Sequence, residues 1–526
     1  MEASCVRQSL VPGTSKLYTD FLYHFDRVSH FYPYSPFEWT NFLAAAGKMK
    51  YPEARRKALV SALREQNEDE TALERLAQPG TVAVVTGQQV GLFSGPAYTI
   101  FKALTAVKIA RELSEQGIPA VPIFWLATED HDLAEVDHVW MFDQDATPRK
   151  VTVTNSVVSA GGPVGDVRFN EIPLADLREA LGELPFADDV VARVAKAYRP
   201  GVSFGEAFRA LLHDILQGYG LLYLDPLAAP VREIAAPLLA EAVQRVPELL
   251  EGLRERNTEL TAAGYHAQVH LDEDASLLFL LGDGKRTAIR WDGQRLMTRD
   301  KTFTPAKLAE WAPRLSPNAL LRPVMQDYLL PTVSYVGGPA EIAYMAQSQV
   351  LYQKLLGRMP VLFPRNSFTL LGARGTKLMD RYDLRLPDLL DHEEKVKSRI
   401  ASRLVSPGLL DEFAEVRAGT AAALEKLKAR LHGFDPTLEA AAKNSTAKML
   451  YQMDRLAQKT AREALRRDER ANRDANFLIN LVYPRKHLQE RIYSILPFMA
   501  KHGLDLPERL MGMIQLGCPD HMVRTV

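Results

Sequence analysis

Four ionisable residues stand in a row at Glu129-Asp130-His131-Asp132, with Asp137 and His138 close behind. They follow Thr128 at the end of an apolar run, residues 121–127. Charges gathered at the end of a buried strand carry a desolvation and repulsion cost unless something binds them. Such a cluster would capture an amino group, hold Mg²⁺ together with a nucleotide, or supply a general base. A solvated loop with helix-capping acids is the plainer alternative. His131 and His138 are seven apart, a match to two helical turns, but a transition-metal site needs a third ligand that the sequence does not identify.

Two further groups could do chemistry. Residues 86–96 read TGQQVGLFSGP, which is neither GxxxxGK[ST] nor GxGxxG. Gly87, Gly91 and Gly95 would let backbone N–H groups approach a ligand closely, and the helix N-terminus that follows favours anions. Thr86 opens this loop, Gln88, Gln89 and Ser94 add side-chain donors, and Lys102 lies one turn into the helix, within reach of a phosphate or carboxylate. The competing reading is a glycine turn that solves only a packing problem. The third group joins RPVMQD, residues 322–327, to GGPAEIAYMAQ, residues 337–347. Gly337-Gly338 makes another anion-friendly helix start. Glu341 and Tyr344 share a helix face. Arg322 and Arg365 are candidate bidentate carboxylate clamps, although each alone also reads as an ordinary structural or surface arginine. Gly264-Tyr265-His266-Ala267-Gln268 is weaker, with a satisfied core histidine as its default.

The elements that must position these groups follow from pattern. Residues 81–85 form an apolar β-branched run, 98–116 a helix stopped by Gly117 and Pro119, and 121–127 a second strand. Ligands of open α/β sheets sit outside the carboxyl ends of the strands, where both chemistry-bearing segments fall. The same order recurs at 332–336, Gly337-Gly338-Pro339, a helix and 360–363, and residues 221–224 read as a third sheet strand. Insertions are expected at about 145–203 and 228–315. The first alternates like short strands around the glycines of KVTVTNSVVSAGGPVGDVRF. The second has a helix to about Leu260 and hairpin-like segments at 268–271, 276–281 and 287–291. Residues 1–80 read as helical, with an amphipathic helix at about 52–76 packing Leu59, Leu63, Leu73 and Leu76 on the sheet.

From about Leu384 the composition shifts to Ala, Glu, Lys, Arg and Leu. Phe413, Val416, Thr420, Ala423 and Leu427 recur in steps of three and four, as do Ala442, Ser445, Met449, Met453, Leu456 and Thr460. Gly433 closes the first helix and Asp435-Pro436 opens the second. Two long helices around one tight turn make an antiparallel coiled-coil hairpin. A homodimer contact is the expected use of its seam, packing on its own core the alternative. The chain thus divides into a core over 1–383, a hairpin over 384–477 and a segment over 478–526 that returns to the core.

Composition narrows the classes. Lys and Arg number 64 against 65 Asp and Glu, without the basic excess of a non-specific nucleic-acid binder. No apolar run is long enough to span a membrane, and the N-terminus lacks the apolar stretch of a secretory signal. The two cysteines, Cys5 and Cys518, argue for a reducing compartment without a disulfide framework, and both read as passive. A cytoplasmic protein is expected.

TGQQVGLFSGPAYTIFK, FWLATEDHD, GYHAQV, LLRPVMQDYLLPTVSYVGGPAEIAYMAQ, PVLFPR and YPRKHLQER together resemble the BshC family, the cysteine ligases of bacillithiol biosynthesis. The resemblance runs along nearly the whole chain. It implies an α/β fold, with a Rossmann-like core, two connecting-peptide insertions and a C-terminal coiled coil used for homodimerisation. It also implies the last step of bacillithiol synthesis, the amide bond between cysteine and glucosaminyl-malate, with nucleotide binding. Amide formation from a free carboxylate is uphill in water, so an adenylate or acyl phosphate formed from ATP, usually with Mg²⁺, is expected. Residues 86–96, Lys102, Gly337 and Gly338 would then meet phosphates. Glu129, Asp130 or Asp132 would hold the cysteine ammonium or a metal, and His131 would act as general base or donor to the leaving phosphate. Arg322 or Arg365 would clamp the malate carboxylates, with Gln326, Asp327, Glu341 and Tyr344 beside them. Two rivals stand against this reading: a nucleotidyltransferase acting on a small sugar, and a non-catalytic nucleotide-binding scaffold of the same pathway.

Overall fold

The computed structural model describes residues 4–153, 156–157 and 162–526. Its centre is a five-stranded parallel sheet. In chain order the strands and their helices are β1 (Val82–Gln89), α1 (Tyr98–Glu115), β2 (Ala120–Ala127), β3 (Leu222–Leu224), α2 (Arg322–Leu329), β4 (Thr332–Gly337), α3 (Pro339–Leu355) and β5 (Val361–Pro364). The spatial order is β5-β4-β1-β2-β3. The order reverses between β1 and β4, the switch point where doubly wound sheets open a crevice for ligands.

Both faces of this sheet are covered, which is why its strands read as continuous apolar runs. Ala83, Val85, Ile123 and Trp125 pack into one core with Leu59, Leu63, Leu73 and Leu76. Val82 and Val84 point the other way, toward Ile109 and Leu113 of α1. Two helices, Glu53–Arg64 and Glu70–Ala77, cover the first face where one was expected, because Asp69 caps the second through the Ala72 N–H. The helical segment expected up to Leu260 is likewise broken, into Ala229–Gln244 and Val246–Ala262.

The chain between β3 and α2 builds a second sheet. Strand Ala275–Gly282 lies between Lys285–Trp291 and Leu315–Pro317, all antiparallel. Residues 268–271, read as part of a hairpin, form no strand. The Gln347 amide accepts from Val269 N–H and donates to Val269 C=O, each at 2.9 Å, taking the part of a neighbouring strand. Of the alternating segment at 150–169, residues 154–155 and 158–161, with Gly161 of its glycine pair, lie outside the described residues.

A small third sheet ties the chain ends to the core. Ser4–Val6 runs antiparallel to His521–Thr525, which runs parallel to Ser367–Leu371. Between the last two strands the chain leaves the body as α4 (Pro407–Phe434) and α5 (Thr437–Arg467), then returns through α6 (Glu469–Val482). The Asp435 carboxylate accepts from Thr437 N–H at the tight turn, and Arg417 pairs with Asp454 across the hairpin at 2.8 Å. No residue of α4 is buried. No helix among the described residues is long and apolar enough to cross a membrane.

Candidate active site

A cavity of about 440 Å³ opens at the switch point. Gly87, Gln88 and Gln89 of β1 form one wall and Gly338–Glu341 at the start of α3 the other, with Tyr98, Trp125, Tyr335 and Tyr344 between them. Gly87 is required there: a Cβ would fall 2.7 Å from Trp125 O and 2.9 Å from Trp125 Cβ on β2. The second sheet closes the mouth with Phe279 and Arg286. These two lie diagonally across a strand pair, and the Arg286 guanidinium sits 3.8 Å from the Phe279 ring centre.

Four arginines reach this space: Arg286, Arg322, Arg365 and Arg491. Arg365 is spent, paired with the buried Glu490 at 2.6 Å. The other three have no carboxylate partner among the described residues. Arg322, on the first turn of α2, donates to Tyr344 Oη at 3.0 Å and Gln326 Oε1 at 3.1 Å. Arg286 donates to Ser316 Oγ and Pro317 O, and burial presses its pKa down against the pull of Glu129 and Asp130. Among the described residues the Arg491 guanidinium has the Tyr98 ring nearby, 6.0 Å away, and no carboxylate. Three guanidinium groups around one cavity, none in contact with a carboxylate among the described residues and Arg491 exposed at its rim, favour an anionic ligand.

The acids face them unequally. Glu129 is buried and paired with Arg232 at 2.9 Å, and burial pushes its carboxyl up despite that partner. Glu341 is held by Lys102 at 2.7 Å and accepts from Tyr335 Oη and Gly338 N–H. Burial works to raise its pKa, and Lys102 overrides this, leaving the carboxyl below its ordinary range. Asp130 lines the cavity with no arginine or lysine on it, accepting from Gln89 Nε2 at 2.7 Å and from His131 N–H.

Several residues read as site residues stand elsewhere. Lys102 is fully buried on α1 and spent on Glu341, Gln88 Oε1 and the Gly87 carbonyl, so it is not a free cation for a phosphate. The 86–96 loop is not an anion cradle. Thr86–Gln89 belong to β1, and the N–H groups of Gly91, Leu92, Phe93 and Gly95 go to Gln89 O, Val136 O, Tyr198 Oη and Leu92 O. The Thr86 hydroxyl donates to Val336 O, and Ser94 is buried against Ser494. Gly91 and Gly95 border a separate cleft of about 180 Å³ with His138. At the start of α3, which does line the cavity, Glu341 takes the Gly338 N–H and Pro339 has none, so Gly338 offers no N–H to an anion; Gly337 packs within the sheet. Gln326 and Asp327 are fully buried, Asp327 held by Tyr352 Oη and the Gln326 amide.

The histidines differ too. His131 sits in irregular chain and His138 begins a strand, so their spacing is not two turns of one helix. His131 lies outside the cavity wall with its Nδ1 3.1 Å from Arg286 Nη1, where it steadies that arginine, and Asp132 caps a short turn through Ala134 N–H. No group of three or more His, Cys, Asp and Glu side chains among the described residues is arranged around a metal ion. Tyr98, Trp125, Phe279, Arg286, Asn318, Tyr335 and Arg491 line the cavity without having been singled out. Arg491 ends the YPRKHLQER motif, which was its only signal.

Behind Arg365 lies a closed polar network. Glu490 accepts from Ser367 Oγ and Phe368 N–H, while His521, fully buried, meets Ser367 Oγ at 2.6 Å and Thr369 Oγ1 at 2.8 Å. Ser367 gives its proton to Glu490, so His521 Nδ1 donates to Ser367 and Nε2 accepts from Thr369. Burial lowers the His521 pKa to about 4, opposed by Glu490. In the unfolded chain this histidine takes up a proton near pH 6.5, so folding stability falls as pH drops from about 6.5 toward 4 and is unaffected above that window. The contribution at pH 4.5 is on the order of 2–3 kcal/mol. Denaturant unfolding of His521→Gln at pH 7 and 4.5 should show an acid loss smaller than wild type by about that amount. An equal loss in both proteins contradicts the assignment.

Residues 1–366 match the family model for the bacillithiol biosynthesis BshC N-terminal Rossmann-like domain, and residues 368–525 match that for its C-terminal coiled-coil domain. The chain is 51% identical over 526 residues to a protein of Solibacter usitatus named "Putative cysteine ligase BshC", covering 100% of both. It is 37% identical to the protein of that name from Koribacter versatilis, over 99% of each chain. A third, from Salinibacter ruber, is 31% identical over 96% of this chain and 95% of its own.

Proposed function

The chain belongs to the BshC family of bacillithiol biosynthesis, and from that premise we propose that it joins L-cysteine to glucosaminyl-malate through an amide bond in the switch-point cavity. The observation that carries this reading is the set of three arginines without carboxylate partners, Arg286, Arg322 and Arg491, around one aromatic-walled space. Glucosaminyl-malate brings two carboxylates, a good match to forked guanidinium donors. Arg322 and Arg491 hold the malyl carboxylates, and Arg286 faces the anionic part of the activated cysteine.

Asp130 is the one acid of the wall without an arginine or lysine partner. It takes the proton from the glucosamine nitrogen as that nitrogen attacks the activated cysteine carbonyl; the C–N bond forms, the bond from the carbonyl carbon to the activating phosphate or adenylate oxygen breaks, and that phosphate or AMP leaves. The Tyr98, Trp125 and Phe279 rings limit water around the reacting carbonyl. ATP supplies the activation of the carboxylate. The residues present fit such a group through its phosphates, which the Arg286 guanidinium would meet. No group of three or more His, Cys, Asp and Glu side chains among the described residues could hold a metal ion, so Mg²⁺ would enter bound to the phosphates of the nucleotide, with Asp130 left free as the base.

The test is ligation itself. Purified protein with cysteine, glucosaminyl-malate, Mg²⁺ and ATP should yield bacillithiol, with AMP or ADP formed only when both substrates are present. Nucleotide transferred to the sugar without cysteine would instead identify a nucleotidyltransferase.

The hairpin serves, on this reading, to pair two copies. None of the 28 residues of α4 is fully buried, and Val416, Leu427, Met449 and Leu456 are each at least half exposed. A helix pair with that much open apolar surface is stable in water when a second pair covers it. Val416→Glu combined with Leu456→Glu should weaken self-association at least about 100-fold in sedimentation experiments, since buried unpaired charge costs several kcal/mol. Dimers of unchanged affinity would contradict this use of the seam. A cytoplasmic location accords with the substrates and with the two free thiols.

A further inference from the structure

The only two cysteines of this chain stand 513 positions apart in sequence and meet in space, with Sγ of Cys518 3.8 Å from Sγ of Cys5. The contact follows from the terminal sheet. Cys5 is the middle residue of strand Ser4–Val6, opposite Met522 of strand His521–Thr525, and Cys518 lies in the turn that leads into that strand. Cys5 is exposed and Cys518 half-buried. A second clasp crosses the same junction: Tyr23 Oη donates to Asp520 at 2.6 Å and accepts from Gln8 N–H. From this junction the chain runs directly along a chamber of about 280 Å³, bounded by residues 11–15, Arg365, Lys486 and Arg491, which shares both arginines with the candidate active site.

We propose that Cys5 and Cys518 form an oxidisable dithiol that closes to an intramolecular disulfide by exchange with a low-molecular-weight disulfide, locking the N-terminal strand onto the C-terminal one. The Cys5 thiolate attacks one sulfur of RSSR; the Cys5–S bond forms, the S–S bond breaks, and RS⁻ leaves and is protonated. The Cys518 thiolate then attacks the Cys5 sulfur and expels the second RSH. Both protein thiols are oxidised, two electrons in all, and RSSR is reduced to two RSH. Exposure makes Cys5 the first to react. Burial raises the Cys518 thiol above its ordinary pKa, so it is slow toward reagents in solution, but it sits in contact with the sulfur it must attack. Bringing the sulfurs from contact to a bond of ~2.05 Å asks for movement only at a three-residue strand and an exposed turn.

The experiment uses the full chain and bis(2-hydroxyethyl) disulfide, a reagent unrelated to any substrate of the proposed ligation, so that failure of that reading leaves this one intact. Free thiols should fall from two per chain to none. The intact mass should drop by about 2 Da, the loss of two hydrogens, and peptide mapping should find Cys5 joined to Cys518. Dithiothreitol should restore both thiols, and the oxidised form should melt at higher temperature than the reduced one. Cys518→Ser should stop at a stable mixed disulfide on Cys5. A mixed disulfide persisting on wild-type Cys5, a disulfide between two chains, or two unreactive thiols would each overturn the proposal.

Discussion

Replacing Arg322 with methionine is expected to lower kcat/KM for ligation at least about 100-fold, equivalent to about 2.7 kcal/mol of transition-state stabilisation. Arg322 lines the cavity, yet its hydrogen bonds go only to the neutral Tyr344 hydroxyl and Gln326 amide. A cation held in a low-dielectric wall without a carboxylate has its attraction in reserve for a bound anion. Methionine keeps the length of the stem and removes the fork. Lysine should recover little, since a single ammonium cannot engage a carboxylate in two parallel bonds while keeping Tyr344. The loss should fall on KM for glucosaminyl-malate, with KM for cysteine nearly unchanged. Steady-state kinetics with each substrate varied in turn checks this, alongside a melting curve showing an intact fold. A variant within about threefold of wild type would remove Arg322 from the site.

The second large effect is on stability. Lys102 reaches from the interior of α1 to Glu341 on α3, bridging the helices that flank the switch point, and donates on the way to Gln88 and to the Gly87 carbonyl. Burial works to lower its pKa, and Glu341 opposes this. Lys102→Met should destabilise the fold by roughly 3–5 kcal/mol, because it strands the Glu341 carboxylate and orphans two acceptors. Glu341→Gln on its own strands the ammonium and should cost a similar amount. The double variant, which removes both charges, should be more stable than Lys102→Met. Denaturant unfolding of the three variants measures this. A double variant whose cost equals the sum of the single ones would show that the two groups do not act as a pair.

The regular parts of the fold were legible because the pattern and the packing agree. The strands of the central sheet are buried on both faces, so they appear as unbroken apolar runs; the two long helices α4 and α5 were legible from their repeat in threes and fours, although Val416, Leu427, Met449 and Leu456 of that repeat stay exposed in the single chain. What was not legible came from distant partners. The 86–96 loop has the composition of an anion cradle, but Tyr198 and Val136 take its N–H groups, and nothing local announces them. Lys102 reads as a free cation because Glu341 lies 239 positions away. The reverse holds for Arg286 and Phe279. They sit on an ordinary hairpin of an insertion, and only the folding of that hairpin over the sheet brings them to the cavity. The EDHD cluster falls between these cases. Its strand-end position was sound, while packing divides its members, pairing Glu129 with Arg232, turning His131 toward Arg286 and leaving Asp130 at the wall.

The most direct measurement is a crystal structure of the protein with glucosaminyl-malate bound. The account places the malyl carboxylates within hydrogen-bond reach of the Arg322 and Arg491 guanidinium groups, with the glucosamine nitrogen directed at Asp130. Glucosaminyl-malate seated instead in the chamber beside Lys486, or on the hairpin, with the switch-point cavity left to solvent, would contradict it.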